Sequence, residues 1–210
     1  MKLVREVTLV DCQKPDSWRR CKDRVLGDVR AAVAAVRWPP GGRAFVIFPE
    51  SGKKRNEGNG VRPIKMEFVK SLVEEGWAAE QGFPVSGKKG AVSSPGKFDV
   101  LLSLEEQGLP PFVVEWETGN ISSSHRAVNK MALGLLQGHL VGGLLVLPTR
   151  ALYRYLTDRI GNFEELEPYF PMWKALPIEQ GYLGIMAVEH DEISHKVLRI
   201  GKATDGRAAR

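Results

Sequence analysis

Three acidic residues stand where metal-assisted hydrolysis would need them. Glu115 and Glu117 close an apolar run, residues 111–117, and Asp99 lies in another, residues 97–102, sixteen residues before Glu115. On a strand, side chains alternate faces with period two. Glu115 and Glu117 therefore share one side, with Val114 and Trp116 on the other. If the two runs pair, Asp99 joins them within a few ångströms. Like charges that close repel, and one must protonate unless a cation sits among them. Oxygen-only ligands suit Mg²⁺ better than zinc or copper. An ion there would activate water and neutralise charge developing on a phosphodiester. Two plainer readings stay open: a solvated sheet face and a salt-bridged structural pair. Phe98, Val100, Phe112, Val113 and Val114 argue for buried strands, where unpaired carboxylates are costly.

The elements that must position these groups can be read along the chain. Asp16-Ser17 offers an N-cap for a helix over residues 18–36, with Val25, Val29, Ala32, Val33 and Val36 on its apolar stripe. Pro39-Pro40-Gly41-Gly42 ends it, and residues 44–48 read as a short buried strand. A charged loop over 49–60 precedes a second helix after Pro63, with Phe68, Val69, Leu72 and Val73 inward. Residues 77–83 read as that helix's end and exit, and 86–96 as a mobile loop. The two acidic strands form an antiparallel hairpin. Gly119-Asn120 breaks the second, and Ser122, Ser123 and Ser124 offer caps for a third helix with Val128, Met131, Ala132, Leu135 and Leu136 on one face. Then come a strand over 140–147, a helix over 149–159, a short helix over 163–169 and a strand over 181–188. The expected fold is α/β (α+β): a central mixed β-sheet flanked by helices, one domain over 1–210, with a flexible tail over 200–210.

Composition fits that outline. Of 210 residues, 43% are hydrophobic and 26% charged, as in ordinary globular chains. The longest apolar run, 141–148, is too short for a bilayer, and residues 1–6 carry no signal-peptide pattern, so a cytoplasmic protein without membrane association is expected. Cys12 and Cys21 match no zinc or redox spacing. A net charge of +5 favours a polyanionic partner. Arg19, Arg20, Lys22, Arg24, Lys53, Lys54, Arg55, Lys88 and Lys89 cluster in short basic groups, each also compatible with a solvated surface.

An acidic residue, then an acidic-x-acidic strand end, then a capped helix resembles the PD-(D/E)xK nuclease core, with Glu117 where lysine is usual. That substitution narrows the resemblance to the BamHI restriction endonuclease family. The segments that carry it are residues 115–126 (Glu-Trp-Glu-Thr-Gly-Asn-Ile-Ser-Ser-Ser-His-Arg), followed in step by Asn129-Lys130 and Leu133-Gly134-Leu135. Residues 155–170, residues 59–65 (Asn-Gly-Val-Arg-Pro-Ile-Lys) and Thr204-Asp205-Gly206 add to it. The resemblance implies a restriction-endonuclease-like fold and a Mg²⁺-dependent homodimer cutting double-stranded DNA at palindromic GGATCC after the first G, in a prokaryotic cytoplasm. It implies two Mg²⁺ per active site, held by Asp99, Glu115, the Trp116 carbonyl and Glu80, with Glu117 holding or deprotonating the attacking water. Lys65 would lie near the scissile phosphate. Asn120, Ser122, Arg126, Asp158 and Arg159 would read the major groove, where Arg can bridge guanine O6 and N7 and Asp can accept from cytosine N4. Asp205 and Gly206 would reach the minor groove.

Three departures qualify the resemblance. The spacing from Glu80 to Asp99 implies an insertion. Leu136, Gln137, Pro171 and Lys174 replace charged residues that pair across the family's dimer. The chain stops soon after Gly206, without the family's final helix. Without the resemblance, Asp158-Arg159 reads as a charged helix end, Asn120 and Ser122 as caps, and Glu80 as an exposed helix-end glutamate. A DNA-binding protein without cleavage, and a less specific repair or nicking nuclease of the same fold, are the alternative functions.

Overall fold

The computed structural model describes residues 1–52, 57–82, 96–117, 119–157 and 160–202. The loop expected over 86–96 (but for Gly96), the basic residues 53–55 and 88–89, Asp158, Arg159, Asp205 and Gly206 lie outside the described residues.

Strand order follows from where apolar runs can be covered on both faces. Gly142–Pro148 (β6) is buried at every position, as expected of a parallel strand sandwiched between helical layers. It pairs in parallel with Leu109–Trp116 (β5) on one side and Gly181–Glu189 (β7) on the other. Antiparallel strands extend both flanks: Lys2–Cys12 (β1) on β7, and Lys97–Leu104 (β4) then Ala78–Gly82 (β3) beyond β5. The six-stranded mixed sheet runs β1-β7-β6-β5-β4-β3. A separate parallel pair joins Val46–Ile47 (β2) to Glu192–Ile193 (β8).

Helices cover both faces. Asp16–Ala35 (α1) and Arg62–Glu74 (α2) bury Trp18, Val25, Val29, Phe68 and Leu72 in a core with Phe112, Val114 and Trp116. Ile121–Leu136 (α3) covers the opposite face with Val128, Met131 and Leu135. It is joined there by Phe163–Leu166 (α5) and Phe170–Lys174 (α6), while Arg150–Tyr153 (α4) follows β6. Gly143 lets α3 lie close to the sheet, because a Cβ there would sit 2.7 Å from the Met131 sulfur. Among the described residues no helix is long and apolar enough to cross a membrane.

The expected mixed sheet flanked by helices is present, and the acidic strands form the expected antiparallel hairpin. Its turn is a 3-10 helix over Glu105–Gln107, closed by Gly108 in the left-handed region. Several local expectations are corrected. Helix α1 starts at Asp16, after Pro15, with no side-chain cap. Residues 78–82 form an edge strand, because Gly76 turns the chain at φ +90 and the free edge of β4 takes up its hydrogen bonds. The helix over 149–159 shrinks to α4, since Tyr155 and Thr157 bond instead to the backbone of Asn59. Asn120 rather than a serine caps α3, its Oδ1 accepting from the Ser123 N–H at 3.1 Å. Val73 and Leu136, expected inward, are 44% and 46% exposed. Strand β1 carries no expectation from the sequence.

Phe112 sits at the centre of the first core, stacked on Trp18 at 5.5 Å and edge-on to Trp77 at 6.1 Å. Phe112→Ala is expected to lower unfolding free energy by about 3–5 kcal/mol, read from urea denaturation. A loss under about 1 kcal/mol would mean that the three rings do not pin α1 to the sheet.

Candidate active site

Strands β4 and β5 pair Val100 with Val114, Leu101 with Val113 and Leu102 with Phe112, with an irregularity between Leu102 and Leu104. Asp99 and Glu115 are the residues next to the Val100–Val114 pair, near the carboxyl end of β5. Both line an open cavity of about 840 Å³, together with Glu117, Lys65, Arg126 and Lys130.

Each carboxylate is met by a lysine from a different layer. Asp99 Oδ1 accepts from Lys65 Nζ of α2 at 2.5 Å, and its Oδ2 accepts from the Trp116 backbone N–H at 2.8 Å. Glu115 accepts from Lys130 Nζ of α3, which also donates to the Lys97 carbonyl and lies 4.3 Å from the Phe98 ring centre. Burial, then repulsion from Asp99, pushes the Glu115 carboxyl up to about 7, against the pull of Lys130 and Lys65.

Glu117 lies just past β5. Its N–H donates to the Val146 carbonyl at 2.9 Å, and its carboxylate folds back to accept the Gly119 N–H. A Cβ on Gly119 would stand 2.9 Å from both that carboxylate and the Ser123 hydroxyl, so glycine is required for the fold-back. The turn is tied from outside: the Gly161 N–H donates to the Gly119 carbonyl at 2.8 Å.

Glu80 stands on β3 between Ala79, paired with Val100, and Gln81, paired with Phe98. It is not a helix end. Its φ is +51, the one positive value at a non-glycine among the described residues. Such a backbone costs about 1–3 kcal/mol and persists only where its surroundings impose it. Glu80 lines a second hollow, about 410 Å³, with Lys65, Arg62 and Asp99. Asp99 is thus a wall between two spaces, with Glu115 on one side and Glu80 on the other. The expected convergence of three carboxylates is looser than supposed: among the described residues no three His, Cys, Asp or Glu side chains are grouped to hold an ion.

Trp116 lines the cavity with Asp99 and Glu115. Asn120 and Ser122 are exposed at the first turn of α3, and Arg126, one turn on, faces the cavity. Asp158 and Arg159, between Thr157 and Ile160, and Asp205 and Gly206, beyond Lys202, lie outside the described residues.

Two further residues were not singled out for a role by sequence reasoning. Lys130 lies three residues after Ala127 and four before Gly134, both buried on α3, so a lysine inside an apolar stripe was its available signal. Asn59 is fully buried. Its Nδ2 donates to the Phe48 and Tyr155 carbonyls, both at 2.8 Å, and its Oδ1 accepts from the Ile200 N–H at 3.1 Å. It ties the 155–157 segment to Ile200.

Known proteins share this arrangement at two levels. The crystal structure of restriction endonuclease BglII complexed with a DNA 16-mer superposes with a TM-score of 0.59 over 94% of this chain and 88% of that one. At 7% identity this speaks for the fold alone, a restriction-endonuclease fold. In sequence, the type II restriction enzyme OkrAI of Oceanobacter kriegii is 46% identical over 186 residues, 89% of this chain and 90% of that enzyme. The type II restriction enzyme BamHI of Bacillus amyloliquefaciens is 33% identical over 194 residues, 90% and 86% of the two chains. The family model described as restriction endonuclease BamHI matches residues 1–207, and the chain belongs to that family of DNA-cleaving type II enzymes.

Gly119→Ala should displace the Glu117 carboxylate without disturbing the core. The expected result is a fall in DNA cleavage of about 100-fold with little change in melting temperature. Cleavage at the parental rate would show that the folded-back position is not the working one.

Proposed function

We propose that this chain is a Mg²⁺-dependent homodimeric endonuclease that cuts double-stranded DNA at palindromic GGATCC after the first G, leaving four-base 5′ overhangs. The observation that carries the reading is that Asp99 and Glu115, close enough to repel, line one cavity.

The donor set fits a hard divalent cation. Glu115 is driven towards protonation by burial and by Asp99 even with two lysines nearby, which is the signature of a place short of positive charge. Two carboxylates suffice for Mg²⁺, which retains waters and accepts phosphate oxygens. Asp99, Glu115 and the Trp116 carbonyl would hold it, with Glu80 reaching a second ion through the neighbouring hollow. When bound, Mg²⁺ supplies Lewis-acid stabilisation of the phosphodiester and a more acidic water. The chain's own residues do the rest. Glu117, held by the Gly119 N–H, takes the proton of the attacking water. Lys65, 31% exposed, can turn from Asp99 to a phosphate oxygen.

Sequence reading is assigned to the rim. Asn120, Ser122 and Arg126 present polar groups from the start of α3, whose N-terminus favours phosphate approach. Arg159 and Asp158 pair with the guanine and cytosine of one base pair, and Asp205 and Gly206 approach the minor groove. A palindrome calls for two-fold symmetry. Leu133 and Leu136 of α3, and Tyr169 and Met172 beside and on α6, stay 40%, 46%, 45% and 53% exposed. These elements pack together through His125 on Tyr169 and Trp173 on Asn129, offering one apolar face to a second copy.

A plasmid carrying a single GGATCC, incubated with the protein and Mg²⁺, should become linear with recessed 3′ ends, and chelation should stop it. A specific gel shift without cutting, or nicking indifferent to sequence, would replace the reading with one of its two alternatives. Glu117→Ala should keep specific DNA binding in a mobility-shift assay while cleavage is lost; a variant that still cuts well would remove Glu117 from the proton transfer. Arg159→Ala should lose about 1–3 kcal/mol of discrimination at one G·C pair, measured as relative affinity for single-base variants of the site.

A further inference from the structure

We propose that Lys130 is the resident counter-cation of Glu115, which a divalent ion displaces on binding, so that this lysine sets how much free metal is needed to fill the site. The inference rests on the reading of the cavity as a divalent-ion site and concerns what the chain does there before the ion arrives.

Four observations carry it. Lys130 is 8% exposed, and Glu115 13%. A carboxylate and an ammonium this buried must be paired, since either alone would keep the full cost of leaving water. The ammonium has more than one anchor: it contacts Glu115, donates to the Lys97 carbonyl and lies over the Phe98 ring. If Glu115 turns to another cation, the carbonyl and the ring face still hold the ammonium in place. Its position differs from that of Lys65, which meets Asp99 from the other layer and is 31% exposed. Lys65 can follow a phosphate outward, whereas Lys130 can only yield its carboxylate in place. Finally, Glu115 is the carboxylate repelled by Asp99. The site therefore needs a positive charge in every state, and Lys130 supplies it when the cavity holds no metal.

A merely structural salt bridge and a resident counter-cation predict opposite signs. If Lys130 only braces the fold, Lys130→Met loosens Glu115 and weakens metal binding. If it competes with the metal, its removal leaves Glu115 uncompensated, and Mg²⁺ binds more tightly. The test is calorimetric titration of Mg²⁺ into the full chain and into Lys130→Met, without DNA, together with melting curves in EDTA and in saturating Mg²⁺. The expected result is a dissociation constant about tenfold lower or more in the variant. Its melting temperature should be depressed in EDTA and recovered by Mg²⁺. Unchanged or weaker Mg²⁺ binding would overturn the inference. If the parental chain takes up no Mg²⁺, the metal-site reading itself fails, a separate outcome. Should Lys130→Met not fold, Lys130→Gln, which can still donate to the Lys97 carbonyl, takes its place in the same titration. Tighter Mg²⁺ binding by that variant would support the inference, and unchanged or weaker binding would overturn it.

Discussion

The structure turns on the repulsion between two carboxylates placed on adjacent strands. Asp99 and Glu115 line one cavity at the end of the sheet, where burial removes most of the water that would screen them. Such a pair is tolerable only if positive charge is delivered from nearby elements. A helix on one face could reach only one side. Layers on both faces let Lys65 arrive from α2 and Lys130 from α3, each bonded to a different carboxylate. The three-layer sandwich is thus the arrangement that makes this acidic strand end affordable.

The same constraint explains how the rim is built. Beyond Trp116 the Glu117 N–H still reaches the Val146 carbonyl of β6, and the turn that follows is held by local bonds. Glu117 bonds back to Gly119, Gly119 receives Gly161, and Asn120 caps α3. On the other flank, Asn59 fastens three distant stretches through side-chain bonds of 2.8 to 3.1 Å while fully buried. A buried amide with every bond filled rigidifies its surroundings, and one left partly unfilled would be costly. The described residues on either side of that amide, Tyr155 and Ile200, are therefore held at fixed points.

The parts of this arrangement legible in the sequence were those governed by local periodicity. The 3.6-residue stripe of α3 gave Val128, Met131 and Leu135 as its buried face, whereas Glu117, expected beside Glu115 on one strand, lies past the end of β5. What escaped was decided by partners distant in the chain. Residues 78–82 look like a helix end because their strand character comes from pairing with β4, not from their own composition. Residues 154–157 have helical propensity, yet backbone bonds to Asn59 draw them away. Strand β1 is paired along its whole length to β7, but its charged residues conceal the alternation. Lys130 as a site residue was hidden for the same reason: only the packing of α3 on the sheet brings it to Glu115.

The two central carboxylates, identical in charge, are not equivalent in setting. Asp99 has its two oxygens committed to a lysine and to a backbone N–H. Glu115 is the more buried and carries the raised affinity for a proton. Asp99, held on both sides, lines both hollows. Glu115, whose charge is costly until a cation is beside it, responds to whatever positive charge the cavity contains. The asymmetry comes from topology: the Asp99 side chain is close enough to the end of β5 to accept a main-chain hydrogen, while Glu115 looks from the same strand towards α3 and finds only a side chain.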